Sequence, residues 1–505
     1  MEQLEHRQVM RVLVGLMAGM FLAALESTIV ATAAPTIVED LGGLNLLSWV
    51  FTAYMLTTTV SAALWGKLSD LMGRRATYLI AVAIFMAGSL LAGLSQTMVQ
   101  LVVSRGLQGV GGGGLTALGF TVMADILAPR QRGRYIGYIS GMFALGAIVG
   151  PLLGGVIVDL VGWRAIFLIN LPLGATVALI ASSALRGVGG RRSAQLDVAG
   201  ALTLSAAIVC LLLAGVWGGN QYPWGSPQII GLFLAAVVLF GLFAAIERRA
   251  PEPVIALRLL QNRTLVLAML IGALTTVPFN AAAVYLPLFL QTVHGVGVSS
   301  SGLQLAPLMV MMSVGSIAAG RRVSATGRYK RLLQVGLVLA IVDTVWVATL
   351  DVGTHRWGVL LMMAVLGLSF GMTAPIVNLI AQNAMPVADL GAASSALITF
   401  RSLGATLGVA GVGSVLLSNL RSGIAALPNA AGLDATTIAS GPDAIHRLPQ
   451  PLQSDVIAVM AESVAAGFAI CIPLVIVAFF LGVWMPEQPL RDSTAIEMDP
   501  VVSSS

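Results

Sequence analysis

Three ionisable side chains, Glu26, Arg105 and Asp343, lie inside long apolar runs of the chain. A charge at that depth in a bilayer is costly, so such groups are candidate functional sites. Around Glu26, helical spacing sets Gly19, Ala23, Val30 and Ala33 on one stripe, a small-residue face that packs against other helices and turns the carboxyl into the bundle. Burial there favours the neutral acid, so the group can take and release a proton; the plainer reading is a permanently paired structural acid. Arg105, Gln108, Gly109, Gly112 and Thr116 form a second stripe, polar at one end and small at the other. A guanidinium keeps its proton and must find a carboxylate, a carbonyl or water. Glu26 is the obvious partner, and attraction to Arg105 then competes with burial at that carboxyl. Asp343 reads either as a second proton site or as a peripheral acid facing its neighbours. Asn280, Tyr285 and Asn378 read, with Gln108, as lining of a substrate cavity; the alternative for the two asparagines is glue between helices.

These groups can act only if helices hold them in a membrane. The chain is 57% hydrophobic and 10% charged, with a mean hydropathy of +0.92, whereas a water-soluble globule carries about 25% charged residues. At about 20 apolar residues per crossing, the sequence divides into fourteen spans of an all-α integral membrane protein. The formal charge of +5 does not signal nucleic acid, because the cations sit in short loops between apolar runs. Arg164, Arg356, Arg421 and Arg447 fall on one side, Arg105 and Arg401 fall within spans, and the rest of the 27 Lys and Arg fall on the side of the N-terminus. That bias predicts a multi-pass protein of the cell (inner) membrane with both termini cytoplasmic. Cys210 and Cys471 lie in apolar runs, which excludes a disulfide framework and a cysteine metal site. No metal cluster, nucleophile elbow or phosphate loop is present, so neither an enzyme nor a cofactor is expected.

The polar stretch Gly66-Lys67-Leu68-Ser69-Asp70-Leu71-Met72-Gly73-Arg74-Arg75 leaves room only for a tight turn between two spans. It recurs at Gly320 to Tyr329, with Gly327 and Arg328 in the places of Gly73 and Arg74 and Ser324 in that of Asp70. This internal duplication implies two related halves with the substrate between them near the bilayer midplane. The expected division is residues 1–190 as a six-helix bundle, 191–255 as two inserted helices, 256–486 as a second six-helix bundle with an outside loop at 419–461, and 487–505 as a disordered cytoplasmic tail. The inserted residues 197–246 are expected to line no part of the central cavity. In the fifth span, Gly146, Gly150, Gly154 and Gly155 surround Pro151, a density that permits close helix approach and a kink.

Four stretches resemble the major facilitator superfamily, and within it the fourteen-helix drug:proton antiporters. Gly66 to Arg75, with Gly66, Asp70, Gly73 and Arg74 in place, is similar to the signature between helices 2 and 3. Leu101-Val-Val-Ser-Arg105-Gly-Leu-Gln108-Gly109 resembles the helix-4 motif whose Arg is tied to proton transfer. Gly146 to Gly155 is similar to the helix-5 motif associated with antiport, and Trp163-Arg164-Ala-Ile-Phe167-Leu-Ile-Asn170-Leu-Pro172 to the opening of helix 6. Leu25 to Val30 resembles the first-helix motif, but Glu26 stands where the family usually has Asp. The resemblance implies a cytoplasmic charge network of Asp70, Arg74 and Arg75 joined by Asp125 and Arg134, present in the outward-open state.

Together these readings predict a monomeric, proton-driven antiporter that exports bulky amphipathic compounds, neutral or cationic, with protons and the lipid bilayer as its other partners. The alternatives are a dedicated exporter of a metabolite, siderophore or lipid precursor on the same fold, and a non-transporting receptor or scaffold, disfavoured because no sizeable soluble domain is present.

Overall fold

The computed structural model describes residues 6–43, 46–127, 129–186, 197–219, 221–250, 257–295, 301–386, 389–427, 445 and 448–490. Helices carry the fold: α1 (His6–Leu41), α2 (Leu47–Met72), α3 (Arg74–Gly93), α4 (Met98–Ile126), α5 (Pro129–Val161), α6 (Ala165–Leu168), α7 (Asn170–Ala184), α8 (Val198–Trp217), α9 (Pro227–Glu247), α10 (Arg263–His294), α11 (Ser301–Thr326), α12 (Lys330–Val347), α13 (Arg356–Asn383), α14 (Leu390–Ala426), α15 (Leu452–Ala469) and α16 (Cys471–Trp484). Among the described residues, nine helical runs are long and apolar enough to cross a membrane, α6 and α7 counting as one and α15 and α16 as another. In such a setting helices satisfy their own backbone groups, which is why the chain has few other elements.

Helices α1 to α7 pack on one another, and α10 to α16 do the same. The two groups meet along α5 against α11 and along α2 against α14. Helices α8 and α9 pair with each other, and α8 also lies on α2 and α14, so the inserted pair spans the seam from outside. At the end of the molecule away from Gly66 to Arg75, the α8–α9 turn folds over α14. Trp224 donates its indole N–H to Ser414 Oγ, and Trp217 stands edge-on to Trp49 of α2 with centroids 5.9 Å apart. A groove of about 710 Å³ lies between this turn and α14, lined by Tyr222, Trp224, Ser414, Leu417 and Arg421. The inserted pair therefore walls a cavity, but one between itself and α14.

Two boundaries differ from the expected ones. Helix α14 continues through Arg421 to Ala426 and α15 begins at Leu452, so the loop is shorter at both ends than 419–461; apolar Leu420 and Ile424 are buried and draw the helix past the last residue that hydropathy alone would keep. The tail does not leave the protein at 487 either. Gln488 N donates to Tyr329 Oη at 2.7 Å, Asn383 Nδ2 donates to the Pro489 carbonyl at 3.2 Å, and Leu490 packs on the α10–α14 core. Residues 491–505 lie outside the described residues.

Candidate functional site

The first group of helices encloses a polar cluster around Glu26, which is fully buried. Its Oε1 accepts from Arg105 Nη1 and its Oε2 from Asn170 Nδ2, so both oxygens are occupied. Arg105 also donates through Nη1 to Gln108 Oε1 at 2.6 Å and through Nε to the Val50 carbonyl at 3.2 Å. Its guanidinium carbon stands 4.3 Å from the Tyr54 ring centroid. Gln108 passes the chain on, donating to Ser89 Oγ at 2.7 Å. An ion pair taken out of water holds only if its remaining donors and acceptors are met in this way.

Local sequence explains why these groups converge. Thr97 Oγ1 accepts from Gln100 N and caps α4, fixing where Arg105 enters the bundle. A Cβ on Gly88 would stand 2.4 Å from Gln108 N, so only glycine lets α3 close on α4 and bring Ser89 to Gln108. The helical path runs from α6 into α7 through Ile169, itself in the right-handed helical region, and Pro172 falls in the first turn of α7. At the start of α7, Asn170 reaches Glu26.

Glycines couple the cluster to α5. A Cβ on Gly150 would lie 2.1 Å from Thr28 Oγ1, one on Gly154 2.3 Å from Thr32 Oγ1, and one on Gly146 3.0 Å from Ala24 Cβ. Thr28 Oγ1 donates to the Gly146 carbonyl at 3.2 Å. The three glycines, one helical turn apart, thus seat α5 on the α1 residues that flank Glu26. Gly155 meets nothing within 4 Å, and the side chain of Pro151 lies outside the described residues.

A second cluster closes the Gly66–Arg75 turn. Gly73 takes φ +87°, a backbone region that favours glycine, and Arg74 follows at the start of α3. Its Nη1 is 2.7 Å from Asp70 Oδ1, its Nε is 2.7 Å from Asp125 Oδ2, and Nη1 also donates to Ser69. Gly66 is buried beneath it and Arg75 is exposed; the side chain of Arg134 lies outside the described residues. In the repeat, Gly327 keeps the positive φ at +69°, but Arg328 is exposed because Ser324 supplies no carboxylate. Beside this second cluster, Ala124 at the end of α4 joins the apolar core that holds Ala393 and Leu397 of α14, and α4 lies against α14, so the two groups of helices touch there.

Asp343 stands apart from both clusters. It is fully buried on α12, and neither of its carboxylate oxygens has a hydrogen-bond partner among the described residues. Asn280 Nδ2 donates to the Thr276 carbonyl at 2.9 Å, and Asn378 Nδ2 to the Ala374 carbonyl at 3.2 Å, each within its own helix. Tyr285 Oη donates to the Val409 carbonyl at 3.0 Å, tying α10 to α14. Beyond the apolar part of α1, Asp40 accepts from Arg164 and from Trp163 Nε1; the Arg164 hydrogen bond, then that of Trp163, holds its carboxyl below the usual range. Sequence reasoning missed Asn170, Ser89 and Tyr54 as members of the Glu26 cluster. Asn170 alone carried a signal, an amide two residues before Pro172 in an apolar run; Ser89 and Tyr54 look like any polar residue of an apolar run.

A family model described as Major Facilitator Superfamily matches residues 16–409. The multidrug transporter protein MdtP of Bacillus subtilis (strain 168) is 37% identical over 409 residues, covering 81% of this chain and 75% of that protein. Multidrug resistance protein 3 of the same organism is 32% identical over 485 residues, covering 93% and 94%. Among solved structures, the proton:xylose symporter XylE bound to 6-bromo-6-deoxy-D-glucose superposes with a TM-score of 0.62 at 15% identity, covering 96% of this chain and 98% of that one. The family match spans both groups of helices and takes in both charge clusters, and the chain is a member of the major facilitator superfamily, a transporter and not an enzyme.

Proposed function

We propose that this transporter is a proton-driven antiporter that exports bulky amphipathic compounds by alternating access between two six-helix bundles, residues 1–190 and 256–486, joined by the inserted pair. The observation that carries the reading is the sealed Glu26–Arg105–Asn170 cluster. A carboxylate buried with one guanidinium has two stable arrangements: ionised and paired, or protonated with the arginine turned elsewhere. Switching between them moves one proton, and the Gly146–Gly150–Gly154 contact passes the change to α5, which borders the other bundle at α11. Because both Glu26 oxygens are occupied, the proton competes with Arg105 rather than directly with cargo in this state. The Asp70–Arg74–Asp125 cluster and the α4–α14 contact lie at the end assigned to the cytoplasm by its cations, which supports an outward-facing arrangement. The names of the two bacterial relatives, a multidrug transporter and a multidrug resistance protein, support a carrier of varied small compounds.

The test is purified full-length protein in proteoliposomes bathed in an amphipathic dye, with a pH gradient imposed across the bilayer. The expected result is dye accumulation against its own gradient that collapses when a protonophore is added. Accumulation indifferent to the pH gradient, or none, would overturn proton coupling.

A further inference from the structure

Arg105 and Arg401 both interrupt long apolar runs of the sequence, and they differ in one respect. Arg105 is neutralised by Glu26; no carboxylate among the described residues lies within ion-pairing distance of Arg401, and none accepts a hydrogen bond from it. Arg401 lies on α14 about 16 Å from the start of the helix at Leu390, at 1.5 Å per residue, and within the apolar run Ala396–Ala426 that is long enough to cross a membrane. Its stem rests on Gly272 of α10, where a Cβ would stand 3.1 Å from Arg401 Cγ. Its guanidinium carbon is 5.4 Å from the Phe370 ring centroid on α13. Phe370 in turn stacks on Phe279 of α10, with centroids 4.1 Å apart and planes 16° apart.

The position on α14 fixes the direction. Ile398, one turn earlier, packs against the core of the first bundle, while Leu397 reaches Gly272 and Gly404 seats on Ala273, both of α10. Arg401 lies between those two directions and is partly exposed, so it borders the seam between the bundles inside the membrane-crossing run, and transporters of this architecture hold cargo between their halves. A guanidinium cannot shed its charge, and in a low-dielectric site an unpaired cation is the strongest available attraction for an anion. Of the two buried acids that would favour cations, Glu26 is held by Arg105, and Asp343 is fully buried on α12, which packs on α13, α15 and α16 of its own bundle.

We propose that Arg401, with the Phe279–Phe370 pair, is the counter-charge of the cargo site, and that its substrates are amphipathic anions with a flat aromatic body, such as aryl carboxylates or sulfonates. This rests on the export reading above and reverses the charge preference expected from the sequence. Phe279 and Phe370 are largely buried, so a cargo ring meets the rim of the pair and sets its acid group at the guanidinium, and one site reads shape and charge together.

The test uses the full chain in nanodiscs and two probes with one body and opposite charges, pyrenebutyrate and a pyrenebutyl trimethylammonium, titrated by fluorescence. The wild type is expected to bind the anion about tenfold or more tighter than the cation, the scale of one charge-assisted hydrogen bond. Arg401→Gln should erase that preference while cation binding stays level or improves, and Arg401→Lys should keep part of it. A wild type that prefers the cation overturns the proposal, and so does Arg401→Gln weakening both probes equally with Arg401→Lys no better, which would mark a packing role. Failure of the export reading is separately visible: a pH gradient would then drive neither pyrene probe nor dye in proteoliposomes, whatever the binding preference.

Discussion

Arg105 and Glu26, 79 residues apart in sequence, form an ion pair closed to solvent on both sides, with side-chain exposures of 1% and 0%. Such a pair is weak evidence for stability, because desolvation of both charges offsets most of their attraction. Removing one partner is another matter, since it strands the other charge. Glu26→Gln should therefore destabilise the protein by about 3–5 kcal/mol, less whatever Arg105 regains by turning to water. In transport it should stop uphill efflux and remove the pH dependence of substrate binding, while downhill movement persists. Glu26→Asp should keep partial coupling, since the shorter carboxylate must satisfy Arg105 and Asn170 with one methylene less. Coupled uphill efflux by purified Glu26→Gln would make Glu26 structural.

The glycine stripe of α5 gives a prediction with a built-in control. Gly150→Ala forces a Cβ to within 2.1 Å of Thr28 Oγ1 and 3.3 Å of Ile29 N, so α5 must lift from α1. Overpacking of this kind costs about 1–3 kcal/mol, and thermal unfolding in detergent should register it. Gly155→Ala, on the same helix with open space around it, should stay within about 0.5 kcal/mol of the wild type. Equal effects of the two would mean that helix propensity, not the α1–α5 contact, governs the stripe.

How far the site was legible follows from the kind of signal each residue left. Glu26, Arg105, Asp70 and Arg74 were readable because a charge in or beside an apolar run has few roles open to it. Membrane helices announce themselves by length and hydropathy, so the helical class was legible too. What stayed hidden is set by contacts across helices: Ser89 joins the cluster only because Gly88 lets α3 and α4 close, and nothing in the local pattern of either helix says which face meets which. Arg401 illustrates the same limit. Its depth was readable and its lack of a partner was not, because an absent ion pair is a property of neighbours 31 or more residues away on α10 and α13.

Asp70 and Arg74 should set conformational balance. Arg74 is divided between Asp70 and Asp125, each at 2.7 Å, so Asp70→Asn leaves one carboxylate on the guanidinium and loosens the turn without stranding a buried charge. Populations measured by distances between spin labels on the Gly66–Arg75 end should shift toward opening on that side, and transport should slow with substrate affinity kept. Loss of affinity with unchanged populations would contradict a gating role. Arg328 of the repeat is exposed, so Arg328→Gln should change neither measurement.

The last prediction separates the two buried acids. Glu26 accepts hydrogen bonds from two side chains, whereas among the described residues Asp343 has no hydrogen-bond partner at either oxygen. An ionised carboxylate there finds no hydrogen bond among the described residues to offset its desolvation, which argues against a group that cycles through its charged form. Asp343→Asn should accordingly leave proton-driven efflux near the wild-type rate. Asp343→Leu, which replaces an unpartnered polar group by an apolar one of similar size, should be neutral or stabilising, by up to about 1–3 kcal/mol. If Asp343→Asn instead abolishes uphill efflux while Glu26→Gln retains it, the coupling proton travels through α12, and the Glu26–Arg105 pair is the structural one.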